Sequence, residues 1–228
     1  MAKKPKISSK GNKKQKVRKR RVLNPEPGLE LLIEHTSTNL LRTRYFGDVQ
    51  AYCFRYIPTK DEILTLVFGT PSKANMPLVR IHSRCLTGDV FGSAHCECGQ
   101  QLELSLQKMR AEGNGVFIYL EQEGRGSGLA AKLKAYEYYQ QEGLDTVDSY
   151  ERLGLPVDKR SYEAAISILK FLGIRRLRLL TNNPAKVMPL EQAGLQVERE
   201  IIEIPPNKWN IDYLRTKKQR MGHLLDKL

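Results

Sequence analysis

The sequence predicts a mixed α/β fold of α+β layout: a partly parallel sheet flanked by helices, with an antiparallel-rich N-terminal part. Two observations carry this. Between residues 29 and 80, short runs rich in β-branched and aromatic residues, such as AYCFRYI and ILTLVFG, are separated by Gly, Asp and Pro, as in hairpin-linked strands. From Gly99 onward, helical faces alternate with short apolar runs, the pattern of parallel strands joined by helices.

Taken in order, the chain begins with MAKKPKISSKGNKKQKVRKRR, which holds eleven Lys or Arg and no acid. Most of the formal net charge of +13 therefore sits in this tail, and the rest of the chain is nearly neutral. Residues 1–28, the tail and an Asn24-Pro25-Glu26-Pro27-Gly28 linker, are expected to be disordered, because they have almost nothing to bury. The tail reads as a solvated arm or as a contact for polyanions. The folded domain is expected over 29–228.

Within it, Cys53 reads as a strand residue in the N-terminal part. Leu102, Leu106 and Met109 share a helical face that ends near Gly113. VFIYL (116–120) is a buried-type strand, and Leu129 to Glu142 a helix. Tyr162, Ala165, Ile166, Leu169 and Leu172 mark a further helical face before Gly173. RLRLL (176–180) is a strand, Asn183-Pro184 opens a helix, and LQVEREI is the last strand before a Pro-Pro break and a polar C-terminal segment. The sequence shows no internal repeat, and no apolar run approaches the ~20 residues of a membrane span. It carries no secretory signal, so its cysteines point to a reducing compartment and to metal in preference to disulfides.

Three of the four cysteines, Cys85, Cys96 and Cys98, are spaced C-x10-C-x-C. In an extended stretch Cys96 and Cys98 point the same way, and Cys85 can close a third corner. Three thiolates without an obvious fourth ligand suit a zinc site that keeps a position open. Buried apolar cysteines, or a closed structural site completed by His82 or His95, are the other readings. The Gly-rich loop Glu121–Gly128 and the Thr181-Asn182-Asn183-Pro184 turn, with Lys186 beyond it, both join a strand to a helix and both suit an anion. If the sheet is open, the two face one site at the carboxyl ends of its strands. Asp158 and Arg160 read either as an acid and a cation at a helix start, or as a proton acceptor and a phosphate-engaging group.

Six blocks in order, VRIHSRCLTGDVFGSAHCECG, QEGRGSGL, AYEYYQQEGLDTVD, LGLPVDKRSY, LRLLTNNPAKV and RMGHLL, resemble the GTP cyclohydrolase II family. The resemblance runs from about Leu78 to Leu225 and is weaker over 29–77. It implies opening of the imidazole ring of GTP with loss of C8 as formate, and release of pyrophosphate, to give a diaminopyrimidinone ribosyl phosphate, the first step of riboflavin synthesis. Cys85, Cys96 and Cys98 match the family's ligands for one zinc per chain, and Mg²⁺ is implied on the triphosphate. Asp158 matches the residue assigned as proton acceptor, Arg160 the one assigned as nucleophile toward the α-phosphate, and Tyr136 the tyrosine beside the base. For Arg160, electrostatic stabilisation is the more natural physics, since a guanidinium stays protonated. Arg80, Ile81, His82, Ser83, Arg84, Gln101, Glu123, Gly124, Arg125, Thr146, Thr181 and Lys186 fall at GTP-contacting positions. Glu123 is expected to accept from the guanine edge, and Arg125, Thr181 and Lys186 to hold phosphate. A cytoplasmic homodimer without membrane association is implied. The family often carries this domain behind a butanone-phosphate synthase domain, for which this chain is too short.

Two positions depart from the family's pattern. Arg84 stands where glutamate usually precedes the first zinc cysteine, and His95 where arginine usually precedes the second. If the two side chains face each other the exchange is compensating; otherwise rate or substrate changes. This leaves open a paralogue that uses GTP in another pathway or stops at the formylated product. A zinc-stabilised nucleic-acid-binding protein is a third reading, which the near-neutral body disfavours.

Overall fold

The computed structural model describes residues 31–228, so the basic tail and linker expected over 1–28 lie outside the described residues. Seven strands form one sheet: β1 (Ile33–Thr43), β2 (Gly47–Tyr56), β3 (Glu62–Phe68), β4 (Leu78–Ser83), β5 (Gly115–Leu120), β6 (Arg176–Leu180) and β7 (Gln196–Glu200). Their order is β1-β2-β3-β5-β4-β6-β7. The β1, β2 and β3 meander is antiparallel and meets β5 antiparallel, whereas β5, β4, β6 and β7 run parallel. The antiparallel-rich N-terminal part and partly parallel remainder are both as the sequence predicts. Cys53 lies in β2, opposite Ser37 and Leu64.

The helices are α1 (Leu86–Asp89), α2 (Cys98–Glu112), α3 (Gly128–Glu142), α4 (Thr146–Arg152), α5 (Glu163–Phe171), α6 (Val187–Gln192) and α7 (Ile211–Arg220). Gly113 and Gly143 end α2 and α3 in the left-handed conformation that lacks a Cβ penalty. Asn183 caps the Pro184–Lys186 turn by accepting from the Ala185 N–H, and that turn runs into α6. The sequence reading does not anticipate α4 or α7. Asp145 makes α4 possible by accepting from the Val147 and Asp148 N–H groups. Helix α7 has a largely polar sequence and depends on tertiary contacts.

Side-chain alternation sorts the central strands between two cores. Val79 and Ile81 of β4, with Val116 and Ile118 of β5, pack with Ala165, Ile168 and Leu169 of α5 on one face. Leu78 and Phe117 pack with Leu106 and Met109 of α2 on the other. Leu169 is fully buried, so Leu169→Ala is expected to cost about 2–5 kcal/mol, read from urea denaturation.

Candidate active site

The parallel strands β4, β5 and β6 deliver their carboxyl ends to one cleft, as open α/β sheets do. The parity that sends Val79 and Ile81 into the α5 core turns Arg80 and His82 to the opposite face, where both line the cleft. Ile81 therefore brings no side chain to the cleft; only its carbonyl turns toward the site, accepting from Lys186 Nζ at 2.8 Å. Arg80 donates to the Leu180 carbonyl at 2.8 Å and to Gln101 Oε1 at 2.6 Å, and Gln101 donates in turn to the Ile202 carbonyl. Burial pushes the Arg80 pKa down to about 10.

Past β4, Asp89 of α1 holds the first cysteine in place. It accepts from the Cys85 N–H at 2.9 Å, from the Tyr119 hydroxyl at 2.8 Å, and faces His82 Nε2 at 3.0 Å. The Cys85, Cys96 and Cys98 sulfurs lie within 4.8 Å of one another. The Cys85 and Cys96 sulfurs are 3.7 Å apart, and Lys132 Nζ of α3 lies 3.0 Å from the Cys85 sulfur. Hydrogen bonds from the other two cysteines, and then Lys132, hold the Cys85 thiol far below its usual pKa. Gly88 forms a cradle: a Cβ there would sit 2.8 Å from the Cys96 sulfur and 3.1 Å from the Cys85 sulfur. Three converging soft thiol donors above a floor of glycine fit zinc.

The loop after β5 forms a turn over Glu123–Gly126 in which Gly124 and Arg125 have φ of 57° and 54°. A non-glycine residue at positive φ is strained, and such strain clusters at ligand sites. The loop is anchored by Glu123, which accepts from the Leu86 N–H at 2.6 Å, the Gly124 N–H at 2.8 Å and Lys132 Nζ at 3.0 Å. Arg125 donates to the Tyr213 hydroxyl at 3.3 Å, and its carbonyl accepts from the Lys159 N–H at 2.9 Å. That last bond fixes the Asp158–Arg160 loop against it.

Arg160 lines the cleft and donates from Nε to Asp158 at 2.9 Å. Asp158 stands behind it, outside the residues that line the cleft. Burial pushes the Asp158 carboxyl up, but the Arg160 guanidinium outweighs it and the net shift is downward. Burial likewise opposes the Arg160 charge, and Asp158 reverses that, so the guanidinium stays protonated. Ser83, Arg84, Gln101, Thr146, Thr181 and Lys186 also line the cleft. Burial, then the Arg80 and Arg160 cations, holds the Lys186 ammonium well below its usual range. Tyr136 of α3 is pushed up by burial and then by Tyr213, so its phenol is protonated at neutral pH.

The two departures from the family pattern do not compensate each other by pairing. Arg84 donates to Glu121 at 2.7 Å, while the His95 ring packs 5.7 Å from the Tyr136 ring. Several cleft residues carry no signal in the sequence. Glu97, Trp209, Tyr213, Thr216 and Lys217 line it, and four of these five come from or flank α7. Lys132 had a readable signal, a cation on the helix that follows the Gly-rich loop.

The GTP cyclohydrolase II family matches residues 34–202. The riboflavin biosynthesis protein RibBA of Cytophaga hutchinsonii is 46% identical over 180 residues, covering 78% of this chain and 44% of that protein. RibBA of Bacillus cytotoxicus is 47% identical over 182 residues, covering 79% of this chain and 46% of that protein. The riboflavin biosynthesis protein VVA0006 of Vibrio vulnificus is 45% identical over 206 residues, covering 87% and 56%. The chain thus spans about half the length of these relatives. With the match running from β1 to just past β7, and three thiols converging beside the cations of one cleft, the chain belongs to the GTP cyclohydrolase II family.

Proposed function

We propose that this chain hydrolyses GTP at two places, opening the imidazole ring with release of formate and releasing pyrophosphate from the triphosphate, as the first step of riboflavin synthesis. The observation that carries the reading is the juxtaposition of a three-thiol cluster with Arg80, Arg125, Arg160 and Lys186 in one cleft. A purine nucleotide suits both parts, because it presents a ring carbon to be hydrolysed and a polyanion to be held. Zinc held by Cys85, Cys96 and Cys98 supplies Lewis acidity when bound. Magnesium accompanies the triphosphate, and a homodimer is the expected assembly.

The chain's own residues bind and orient. Arg125, Arg160 and Lys186 supply positive charge for the phosphates, with Thr181 and Thr146 lining the same cleft. Asp158 keeps the Arg160 fork aimed and charged, which favours stabilisation of the transferring phosphoryl group over attack on it. Tyr136, protonated at neutral pH, is placed to donate a hydrogen bond near the thiols. Glu123 accepts at both oxygens, from the Leu86 and Gly124 N–H groups and from Lys132, so it holds the Gly124–Arg125 turn against α1 and α3.

The test is incubation of the zinc-loaded chain with GTP and Mg²⁺, scoring formate, pyrophosphate and the pyrimidine product together. Absence of all three overturns the reading. The Arg84 and His95 departures favour one second reading, in which hydrolysis stops at the formylated pyrimidine. Mass analysis of a single turnover separates the two, and the deformylated product is expected. Since Glu121 neutralises the Arg84 charge, Arg84→Ala is expected to leave the product unchanged and the rate within about tenfold, because exposed, solvent-screened ion pairs contribute little.

Lys186 gives a pH-linked expectation. Burial and two neighbouring cations favour its neutral form, and an arriving phosphate supplies the opposing charge that restores the ammonium. Nucleotide binding is therefore expected to take up a proton at pH values above the lowered Lys186 pKa of the free chain. Calorimetry in buffers of different ionisation enthalpy measures this, and the uptake disappears in Lys186→Met.

A further inference from the structure

The proposed reaction employs the thiols and the cations of the cleft, and leaves one buried carboxylate without a role. Glu97 lies between Cys96 and Cys98, lines the cleft and is only 2% exposed. Its Oε1 accepts from Lys217 Nζ at 3.0 Å. Its Oε2 is buried and no described residue bonds it. A buried carboxylate oxygen without a donor is costly, and such atoms in native proteins are matched by a ligand or water. Glu123, the acid that the family resemblance assigns to the base, by contrast already accepts at both oxygens, from the Leu86 and Gly124 N–H groups and Lys132.

Charge sorts the parts of a nucleotide between these groups. A carboxylate repels phosphate, for which Arg125, Arg160 and Lys186 are available, and it accepts well from an N–H. Resting on the nucleotide reading above, we propose that Glu97 is a further substrate-binding residue, its Oε2 accepting from an amide or amino N–H of the purine base, and that Lys217 is the positioning residue that aims it. Lys217 is well placed for this. Its ammonium sits 4.7 Å over the Tyr213 ring as well as against Glu97, and Lys217 and Tyr213 both belong to α7. Arg220, at the end of the same helix, donates to Asp145 at 2.6 Å and Asp148 at 2.8 Å, which ties α7 to α4.

The experiment measures binding of the α,β-methylene analogue of 7-deaza-GTP to the zinc-loaded full chain, since neither the ring nor the triphosphate of that probe can be hydrolysed at the bonds in question. Glu97→Gln is expected to weaken binding by roughly tenfold or more, as for a lost hydrogen bond to a charged group, with one zinc per chain retained. Lys217→Met is expected to weaken it similarly, and Lys217→Arg to restore it. Wild-type affinity in Glu97→Gln overturns the proposal, as does a loss of affinity that only accompanies loss of zinc. Should Glu97→Gln fail to fold, wild-type affinity in Lys217→Met overturns it instead. A wild-type chain that binds the probe but releases neither formate nor pyrophosphate from GTP overturns the proposed activity, while the affinity ratio of the variants still decides the role of Glu97.

Discussion

Cys85→Ser is expected to abolish formate release from GTP while pyrophosphate release persists. The three sulfurs lie within 4.8 Å of one another, and removing one leaves two thiols, too few to retain zinc tightly. Lewis acidity is worth several kcal/mol in such hydrolyses, so formate release should fall on the order of a thousandfold or more. Zinc content measured beside both products checks the assignment. Full-rate formate release from a zinc-free preparation would sink it. Cys53→Ser serves as the control, because Cys53 lies in the antiparallel β2 and should leave zinc content unchanged.

The second large effect is expected at Arg160. Arg160→Ala should lower pyrophosphate release by about 10²–10³-fold, the scale for removing one donor that stabilises developing charge. Asp158→Asn should act in the same direction, because it removes the carboxylate that the Arg160 guanidinium is fixed against. Rapid-quench mass spectrometry distinguishes the two chemical roles open to Arg160. Electrostatic stabilisation leaves no nucleotidyl adduct on the protein. A covalent adduct at Arg160 that forms and decays at the turnover rate would reverse that assignment.

How legible the site was in the sequence follows from the range of its contacts. Strands β2, β3, β5, β6 and β7 were readable, because their runs and the change of period are local, and so were α2, α3 and α5, whose patterns repeat within one helix. Local motifs also located the thiols, the Glu123–Gly126 turn and the Asp158–Arg160 loop. Strand parity, visible in RIHSR only once β4 is placed, explains why Arg80 and His82 reach the cleft while the Ile81 side chain does not. Helix α7 was not legible. Its sequence, IDYLRTKKQR, has little apolar face, and Leu214 is its one large apolar side chain that is buried. What holds it are ion pairs to Glu97, Asp145 and Asp148, and a partner 120 residues away leaves no mark on the local pattern. The engagement of Glu123 was hidden for the same reason, since Leu86 and Lys132 meet it only in the fold.

The distance along the chain between Glu97 and Lys217 also bears on how the protein is made. Translation proceeds at roughly 5–20 residues per second, so on the order of ten seconds separate the appearance of the cysteine segment from that of α7. Through much of that interval β6 and β7 are also missing, and the nascent thiols have neither their complete sheet nor the helix whose Lys217 pairs with Glu97 between two of them. On the ribosome the three cysteines are therefore open to oxidants and to competing metals before the cleft exists. Any translational pause between residues 98 and 211 lengthens that exposure.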